Sequence, residues 1–430
     1  MNKHIFSLFI LFSLFGFAFS ENLTNENLTK KTVFENGFVF ITKPLTNTKM
    51  ITLDLFIKTG IFDEEIPGLA YLTHFSLLDA QKKFQITEKI KKLGGEIKII
   101  FTEDYAEISV DIPSQYIDIS LEIIEDIIKN PLFEQEEIQN EKEKILQEIK
   151  KEKENFLNFA YDLFKTNIYK NHPYARNIKG TEDSIKIITR NDILNYWQKY
   201  YVPNKMILVA VGDFSQENLL IKTNNIFGNL KPIENFENKN YFLSDVNFLP
   251  KKIEKKENTT QAYIVLGYLV SSIINSDYPV LKVIEMLLAI EKKSRLYIAF
   301  CEKRKIAYSL GCYFPTRKYL SFFAFNVITK EKTLEQCFNG LLDELQKIKE
   351  EKIGIEELEE TKKNLIDSFE RNHQNRIKQA WYLGWFEVLD IGYEFDEKYC
   401  DLIRKVSIQD IKKVAEKYFK AYTAIIIKSE

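Results

Sequence analysis

The stretch Gly68–Gln81, GLAYLTHFSLLDAQ, decides how the rest of the chain is read. Pro67 before it and the apolar spacing within it predict a helix that runs to about residue 79. Positions i, i+3 and i+4 share a helix face, so Tyr71, His74 and Phe75 are expected to point the same way. That face carries one imidazole, set between a threonine and a phenylalanine, and the simplest role for it is a partly buried histidine hydrogen-bonded in place.

Working outward, the chain divides into two halves of the same design. In the first, strand-like runs TVFENGFVFITKP and KMITLDLFIKTG precede the 68–81 stretch. Gly94 and Gly95 follow it and introduce a paired strand region, EIKIIFTEDYAEISVDI. Long helices are then expected from Ser114 to Lys129 and from Glu134 to about Tyr169. The second half repeats the order. The strand QAYIVLGYLV precedes a helix from about Tyr278 to Ile290 and a hairpin, IAYSLGCYF and YLSFFAFNVITK, joined by PTRK. Two further helices end it, TLEQCFNGLLDELQKIKEE and IEELEETKKNLIDSFERNH. The duplication is visible directly in EEIQNEKEKILQ from Glu136 and EELEETKKNLID from Glu356, which place apolar residues at matching helical positions. A period near 200 residues is too long for a solenoid and indicates a duplicated α+β domain.

Composition fits a globular protein, with 45% apolar and 28% charged residues over a 430-residue chain. A formal net charge of −2 gives no electrostatic footprint for nucleic acid. Lys3 and His4 followed by IFSLFILFSLFGFAF read as a secretory leader, with Ala18 and Ser20 at signal-peptidase spacing and cleavage expected after Ser20. The apolar run is shorter than the ~18–20 residues of a spanning helix, so no stable membrane insertion is expected after cleavage. The expected division is a leader over 1–20, a first domain over 21–235, a polar linker over 236–250 and a second domain over 251–430. Cys301, Cys312, Cys337 and Cys400 match no zinc or redox spacing, and disulfides and free thiols both remain open.

A His-x-x-Glu-His helix has the 71/74/75 spacing: its histidines bind zinc, its glutamate activates water, and a distant glutamate completes the site. At GLAYLTHF, and again at HPYARNIKGTEDSI from His172, YYVPNKMILVAVGDF from Tyr200 and VSIQDIKKVAEKYF from Val406, the chain resembles the insulinase/pitrilysin superfamily. The likeness is to its small two-domain branch, the mitochondrial processing peptidase type, and covers nearly the whole mature chain. It implies two tandem homologous α/β-roll domains that form a clamshell with a partner chain.

The departures from the family pattern decide the functional reading. The resemblance puts the first histidine at Tyr71, the catalytic glutamate at His74 and the second histidine at Phe75. The distal glutamate corresponds to Glu148 and a further family glutamate to Glu141, both expected on the stripe carrying Ile138, Ile145 and Ile149, or placed there by chance in a Glu/Lys-rich helix. Zinc catalysis needs three protein ligands and an open position, and His74 with Glu148 supplies at most two. No zinc is therefore expected in this chain. The family's substrate strand, with its Asn-Ala pair, falls on Lys98 and Ile99. In the second half, SRLYIAFCEKRKIAYSLGCYF matches the family segment whose arginine and tyrosine hold substrate near the scissile bond of a partner's zinc site; here these are Arg295 and Tyr308. A guanidinium grips a carbonyl or carboxylate, and a phenol donates to an oxygen gaining charge. Two structural alternatives stand beside this: an ion pair of Arg295 with Glu291, and a core position for Tyr308 beside Leu310, Cys312 and Phe314. The loop before Ser294, glycine-rich in the family, reads AIEKK.

The expectation is thus an exported, periplasmic or secreted, non-zinc subunit of a heterodimeric metallopeptidase. It would pair with a homologous zinc-bearing subunit and bind peptides or unfolded protein by strand addition. A scaffold without a proteolytic partner and an autonomous peptidase with an atypical site are the alternatives.

Overall fold

A computed structural model of the chain describes residues 29–78, 80–234, 250–290, 293–350 and 353–430. The leader expected over 1–20 and the linker expected over 236–250, apart from Pro250, lie outside them.

Strands and helices are numbered in chain order. The first half contains β1 (Lys30–Val33), β2 (Val39–Pro44), β3 (Met50–Ile57), α1 (Leu69–Phe75), α2 (Ala80–Lys92), β4 (Glu96–Phe101) and β5 (Ala106–Pro113). It continues with α3 (Ile117–Lys129), α4 (Gln135–Glu154), α5 (Phe156–Tyr169), α6 (Glu182–Ile187), α7 (Arg190–Tyr200), β6 (Met206–Gly212) and α8 (Gln216–Phe227). The second half contains β7 (Lys251–Glu257), β8 (Ala262–Val270), α9 (Tyr278–Glu285), α10 (Arg295–Tyr297), β9 (Ala307–Tyr313) and β10 (Ser321–Thr329). It ends with α11 (Leu334–Glu350), α12 (Ile355–His373), α13 (Arg376–Val388), α14 (Phe395–Lys405), α15 (Ile408–Tyr418) and β11 (Thr423–Ser429).

Two mixed sheets result, in the orders β1-β2-β6-β3-β5-β4 and β7-β11-β8-β10-β9. In each, one parallel pair (β2 with β6, β7 with β11) adjoins antiparallel neighbours. Strands β3, β5 and β6 are apolar and largely buried because both faces are covered. The outer strands β1 (KKTV) and β7 (KKIEKKE) carry lysines, which discourage pairing with another chain.

The duplication extends to side chains. In α4 the buried positions are Ile138, Lys142, Ile145 and Ile149; in α12, Leu358, Lys362, Leu365 and Phe369 are buried 220 positions later. The two buried lysines also do the same work. Lys142 donates to the carbonyls of Lys186 and Ile188, and Lys362 donates to that of Arg404 at 3.0 Å. Each lysine thereby ties its helix to the segment entering a capped helix, α7 behind Thr189 and α15 behind Ser407.

The halves exchange helices. Helix α5 of the first half packs on β8 and β11, and α13 of the second packs on β3 and β6. A knob-and-hole contact fixes each. Phe164 on α5 meets Gly267 on β8; conversely, Phe56 on β3 meets Gly384 on α13, where a Cβ would lie 2.0 Å from the ring. The β4–β5 turn and the PTRK connection also meet: Arg317 pairs with Glu103 at 2.5 Å, and the Lys318 amide donates to Asp104. The hairpin tips therefore carry opposite charge where they touch.

Three helix expectations need correction. Helix α1 stops at Phe75 instead of running to 79; Ser76 closes it by donating its amide to the Leu72 carbonyl, and α2 starts afresh at Ala80. The helix expected over 134–169 breaks at Asn155, whose side chain accepts from the amides of Leu157 and Asn158 and so starts α5. The helix expected to Ile290 is α-helical only to Glu285 and widens to π-type over Met286–Ile290.

Candidate functional site

Helix α1 begins at Gly68, whose φ of 88° lies in the left-handed region. The Glu64 carboxylate accepts from the Gly68 and Ala70 amides at 3.0 and 3.1 Å, satisfying donors at the helix start. Helix α4 packs beside α1. Between them the residues read as degenerate ligands take separate positions.

Tyr71 and Phe75 lie half-buried with ring centroids 4.5 Å apart, and Tyr71 meets Phe101 edge-on. His74 packs against the same rings, edge-on to Phe75 at 5.7 Å and 5.9 Å from Phe101, but lies deeper. It is fully buried, with Nδ1 2.9 Å from the Tyr201 hydroxyl and Nε2 3.3 Å from the Glu107 carbonyl. Burial lowers its pKa to about 4, so the imidazole is neutral at physiological pH. On α4, Glu141 pairs with Lys144 at 2.8 Å. Glu148 is exposed at the edge of the buried stripe rather than within it; Lys142 takes the buried place instead.

The cation that Glu148 holds is the Lys179 ammonium. Its Nζ lies 2.7 Å from Glu148 Oε2 and 2.8 Å from Glu152 Oε1, and 5.9 Å from the centre of the Tyr71 ring. Tyr71 itself is pushed up to about 12, by burial first and then, against the opposing pull of Lys179, by the charges of Glu148 and Glu141. Sequence reasoning missed Lys179 and Glu152. One more lysine in a loop of a lysine-rich chain gives no signal.

The donor set does not fit a catalytic zinc ion. Phe75 offers no donor, the Tyr71 hydroxyl stays protonated, both His74 nitrogens face protein groups in the core, and Glu148 is occupied by an ammonium. No cluster of three or more His, Cys, Asp or Glu side chains suited to a metal occurs among the described residues.

Arg295 and Tyr308 lie in the other half. Arg295 opens α10 and forms a two-pronged pair with Glu357 of α12, Nε to Oε1 and the terminal nitrogen to Oε2, each 2.6 Å. The arginine holds the Glu357 carboxyl below its usual range. Glu357 was not singled out from the sequence; Glu291, the partner considered there, lies outside the described residues. Tyr308 is 57% exposed on β9, an edge strand, with Lys330 Nζ 5.7 Å from its ring centre. The core position considered for it is therefore wrong. The four cysteines are free thiols.

Two hollows flank these residues. A polar cavity of about 480 Å³ lies between the halves, lined by Glu152, Lys179, Glu103, Arg317, Tyr313 and Asn326 among others. A second, of about 280 Å³, runs between α2 and the edge strand β4, lined by Leu78, Ile86, Ile97 and Ile99 with Lys83 and Lys98.

A mixed helix-and-sheet, two-domain fold with α1 and α4 set against each other is the scaffold of a metallopeptidase of the two-domain type. Residues 39–182 match the insulinase family, peptidase family M16, and residues 188–365 match the peptidase M16 inactive domain. The chain belongs to peptidase family M16. It is 24% identical over 412 residues to an uncharacterized zinc protease of Rickettsia felis, covering 94% of this chain and 97% of that one. Zinc protease PqqE of Helicobacter pylori is 22% identical over 92% of this chain and 90% of its own length. Among solved structures, a protease from Helicobacter pylori superposes with a TM-score of 0.86 at 21% identity, covering 93% and 99% of the two chains. A peptidase M16 inactive domain from Pseudomonas fluorescens gives 0.84 at 18%, covering 94% and 98%.

Proposed function

We propose that this chain is the non-zinc subunit of a heterodimeric M16 peptidase. A homologous partner supplies an intact His-x-x-Glu-His helix with zinc, and this chain supplies Arg295 and Tyr308 to the partner's site. The two subunits close as a clamshell around a peptide or unfolded segment. The chain is exported to the periplasm or secreted behind a leader cleaved after Ser20. The observation that carries the reading is the contrast between the halves: the first half's remaining ligand, Glu148, is bound by Lys179, while Tyr308 projects from an open edge.

The chemistry of the second half supports it. Tyr308 on an edge strand can donate to an oxygen of a peptide lying alongside β9. Arg295 can do so once Glu357 exchanges for a substrate carbonyl or carboxylate, because a guanidinium fork accepts either partner in the same geometry. The groove between α2 and β4 offers apolar lining beside a second open edge.

The test is co-purification with a zinc-bearing relative, followed by a peptidase assay of the complex. Arg295→Ala and Tyr308→Phe are each expected to lower kcat by roughly 10- to 10²-fold, the range for loss of one transition-state donor. Glu357→Gln removes this carboxylate charge from the guanidinium and is expected to lower KM. Unchanged activity in all three variants refutes the assignment, as does chelator-sensitive hydrolysis by the isolated chain. The scaffold reading draws on the Arg295–Glu357 pair being already complete, and it predicts no association with a zinc-bearing chain.

A further inference from the structure

The face of the first sheet that α13 covers carries two carboxyls without evident cause. Asp54 on β3 is fully buried, and Glu107 on β5 is nearly so. The strand register sets Asp54 opposite Ser109 and Glu107 opposite Phe56, so the two acids are diagonal neighbours on one face. Glu107 Oε2 and both carboxyl oxygens of Asp54 have no hydrogen-bond partner. Buried polar atoms are nearly always paired, so two acids left this way call for an explanation.

Every element around them bears on their charge. On β5, Asp111 adds negative charge, but it is paired with Arg376 of α13 at 2.5 Å. Lys98 on β4 and Lys378 on α13 oppose the charge of both acids. The indole of Trp381 on α13 lies beside Glu107 and Tyr105 and lowers the pKa of each. On the far face of the sheet His74 meets only the Glu107 carbonyl. Burial is the leading influence on both acids; the charge of Asp111 adds to it at Asp54 and that of Asp54 at Glu107, and these raise Asp54 to about 7 and Glu107 to about 8.

We propose that Asp54 and Glu107 form a pair of buried carboxyls that makes the grip of α13 on the first sheet depend on pH, firm when the pair holds its protons and looser once both acids ionise. The direction follows from the geometry. A neutral pair fits beneath an apolar helix face, whereas two carboxylates repel each other there and draw water. The position matters because α13 is the second half's main hold on the first sheet. It also packs against α12, which carries Glu357 and through it Arg295. Loosening α13 thus reaches the Arg295 side of the molecule through one intervening helix. The inference stands on the chain's own packing and does not require the proteolytic reading.

Trp381 supplies the readout, since its indole lies beside Glu107 and the chain has only 3 tryptophans. Full-length protein is titrated from pH 6 to 9, recording tryptophan emission, melting midpoint and hydrogen exchange of residues 376–388. In the wild type the emission is expected to shift and exchange to rise several-fold as pH increases, with the midpoint falling by on the order of 5 °C. Glu107→Gln and Asp54→Asn are each expected to flatten the midpoint curve, and Glu107→Gln to abolish the emission step. Trp381→Phe should remove the emission step while leaving the midpoint curve in place. Glu64 and Lys205 also titrate near pH 8, so the difference between wild type and variant is the measured quantity. A wild-type midpoint and exchange rate independent of pH, or a transition that persists unaltered in Glu107→Gln, overturns the proposal. Should Asp54→Asn fail to fold, Glu107→Gln and the wild-type titration decide alone.

Discussion

Replacing Lys179 by methionine isolates the ammonium at the degenerate site, because methionine keeps most of the stem and removes the charge. Burial alone would pull the lysine's pKa down. Its bonds to Glu148 and Glu152 outweigh that and lift it from 10.5 to about 12. That rise corresponds to roughly 2 kcal/mol at about 1.4 kcal/mol per pH unit. Both carboxylates are partly in water, with side-chain exposures of 50% and 34%, so solvent screening reduces the net contribution to about 1 kcal/mol. A raised lysine contributes fully below its unfolded value and loses its contribution as pH climbs through the folded one. Between pH 6 and 9 the effect is therefore constant. Urea unfolding at pH 7 of Lys179→Met, of Glu148→Gln/Glu152→Gln and of the combined variant closes a double-mutant cycle. The coupling is expected near 1 kcal/mol and to shrink in high salt. If Lys179→Met costs the same whether or not the two glutamates are charged, the ammonium is not their counter-ion and the account of this site fails.

Three further outcomes follow from the same geometry. Restoring donors by Tyr71→His and Phe75→His should give measurable zinc affinity by calorimetry only when Lys179→Met is added; equal affinity with Lys179 retained would show that the lysine does not block the site. His74, lowered from 6.5 to about 4, stabilises the fold fully above pH 6.5 and loses roughly 3 kcal/mol as pH falls toward 4. His74→Leu should remove that part of the acid slope, seen as the difference between variant and wild-type unfolding free energies at pH 7 and pH 4.5, while the buried His172, also lowered to about 4, keeps a slope of the same sign. Gly384→Ala drives a methyl into the fully buried Phe56 ring and should cost about 1–3 kcal/mol, largely recovered by adding Phe56→Leu; a neutral Gly384→Ala would mean that α13 sits farther from the sheet.

The parts of the fold legible in the sequence are those set by local pattern. Alternation and turn residues mark the hairpins 96–112 and 306–330, and the matched apolar spacing of α4 and α12 marks the duplication. The misread parts depend on distant partners or on local competition. Nothing like Gly or Pro stops the helical pattern after Phe75, so the end of α1 is imposed by packing. Asn155 did carry a signal, since asparagine readily starts a helix, but it sits inside a continuous Glu/Lys pattern that masks it. The exchange of α5 and α13 could not be read at all, because an apolar helix face does not say which sheet it covers. At the site, the absence of donors at Tyr71 and Phe75 was plain from residue type. The identity of the cation was not, because a lysine becomes a counter-ion only where the 173–180 loop brings it to α4.

That substitution of one cation for another explains how such a site can lose its ligands without losing its shape. Removing a metal from a carboxylate site leaves negative charge with nothing to balance it, and buried or half-buried acids then repel or protonate. An ammonium restores the balance and satisfies the same oxygens by donating hydrogen bonds, as Lys179 does to Glu148 and Glu152. What it cannot do is accept a lone pair from water or a carbonyl, because a protonated amine has no vacant orbital. The Lys179 ammonium therefore balances Glu148 and Glu152 but offers no Lewis acidity of its own. In the second half, by contrast, Tyr308 is exposed and the Arg295 guanidinium is paired with the Glu357 carboxylate.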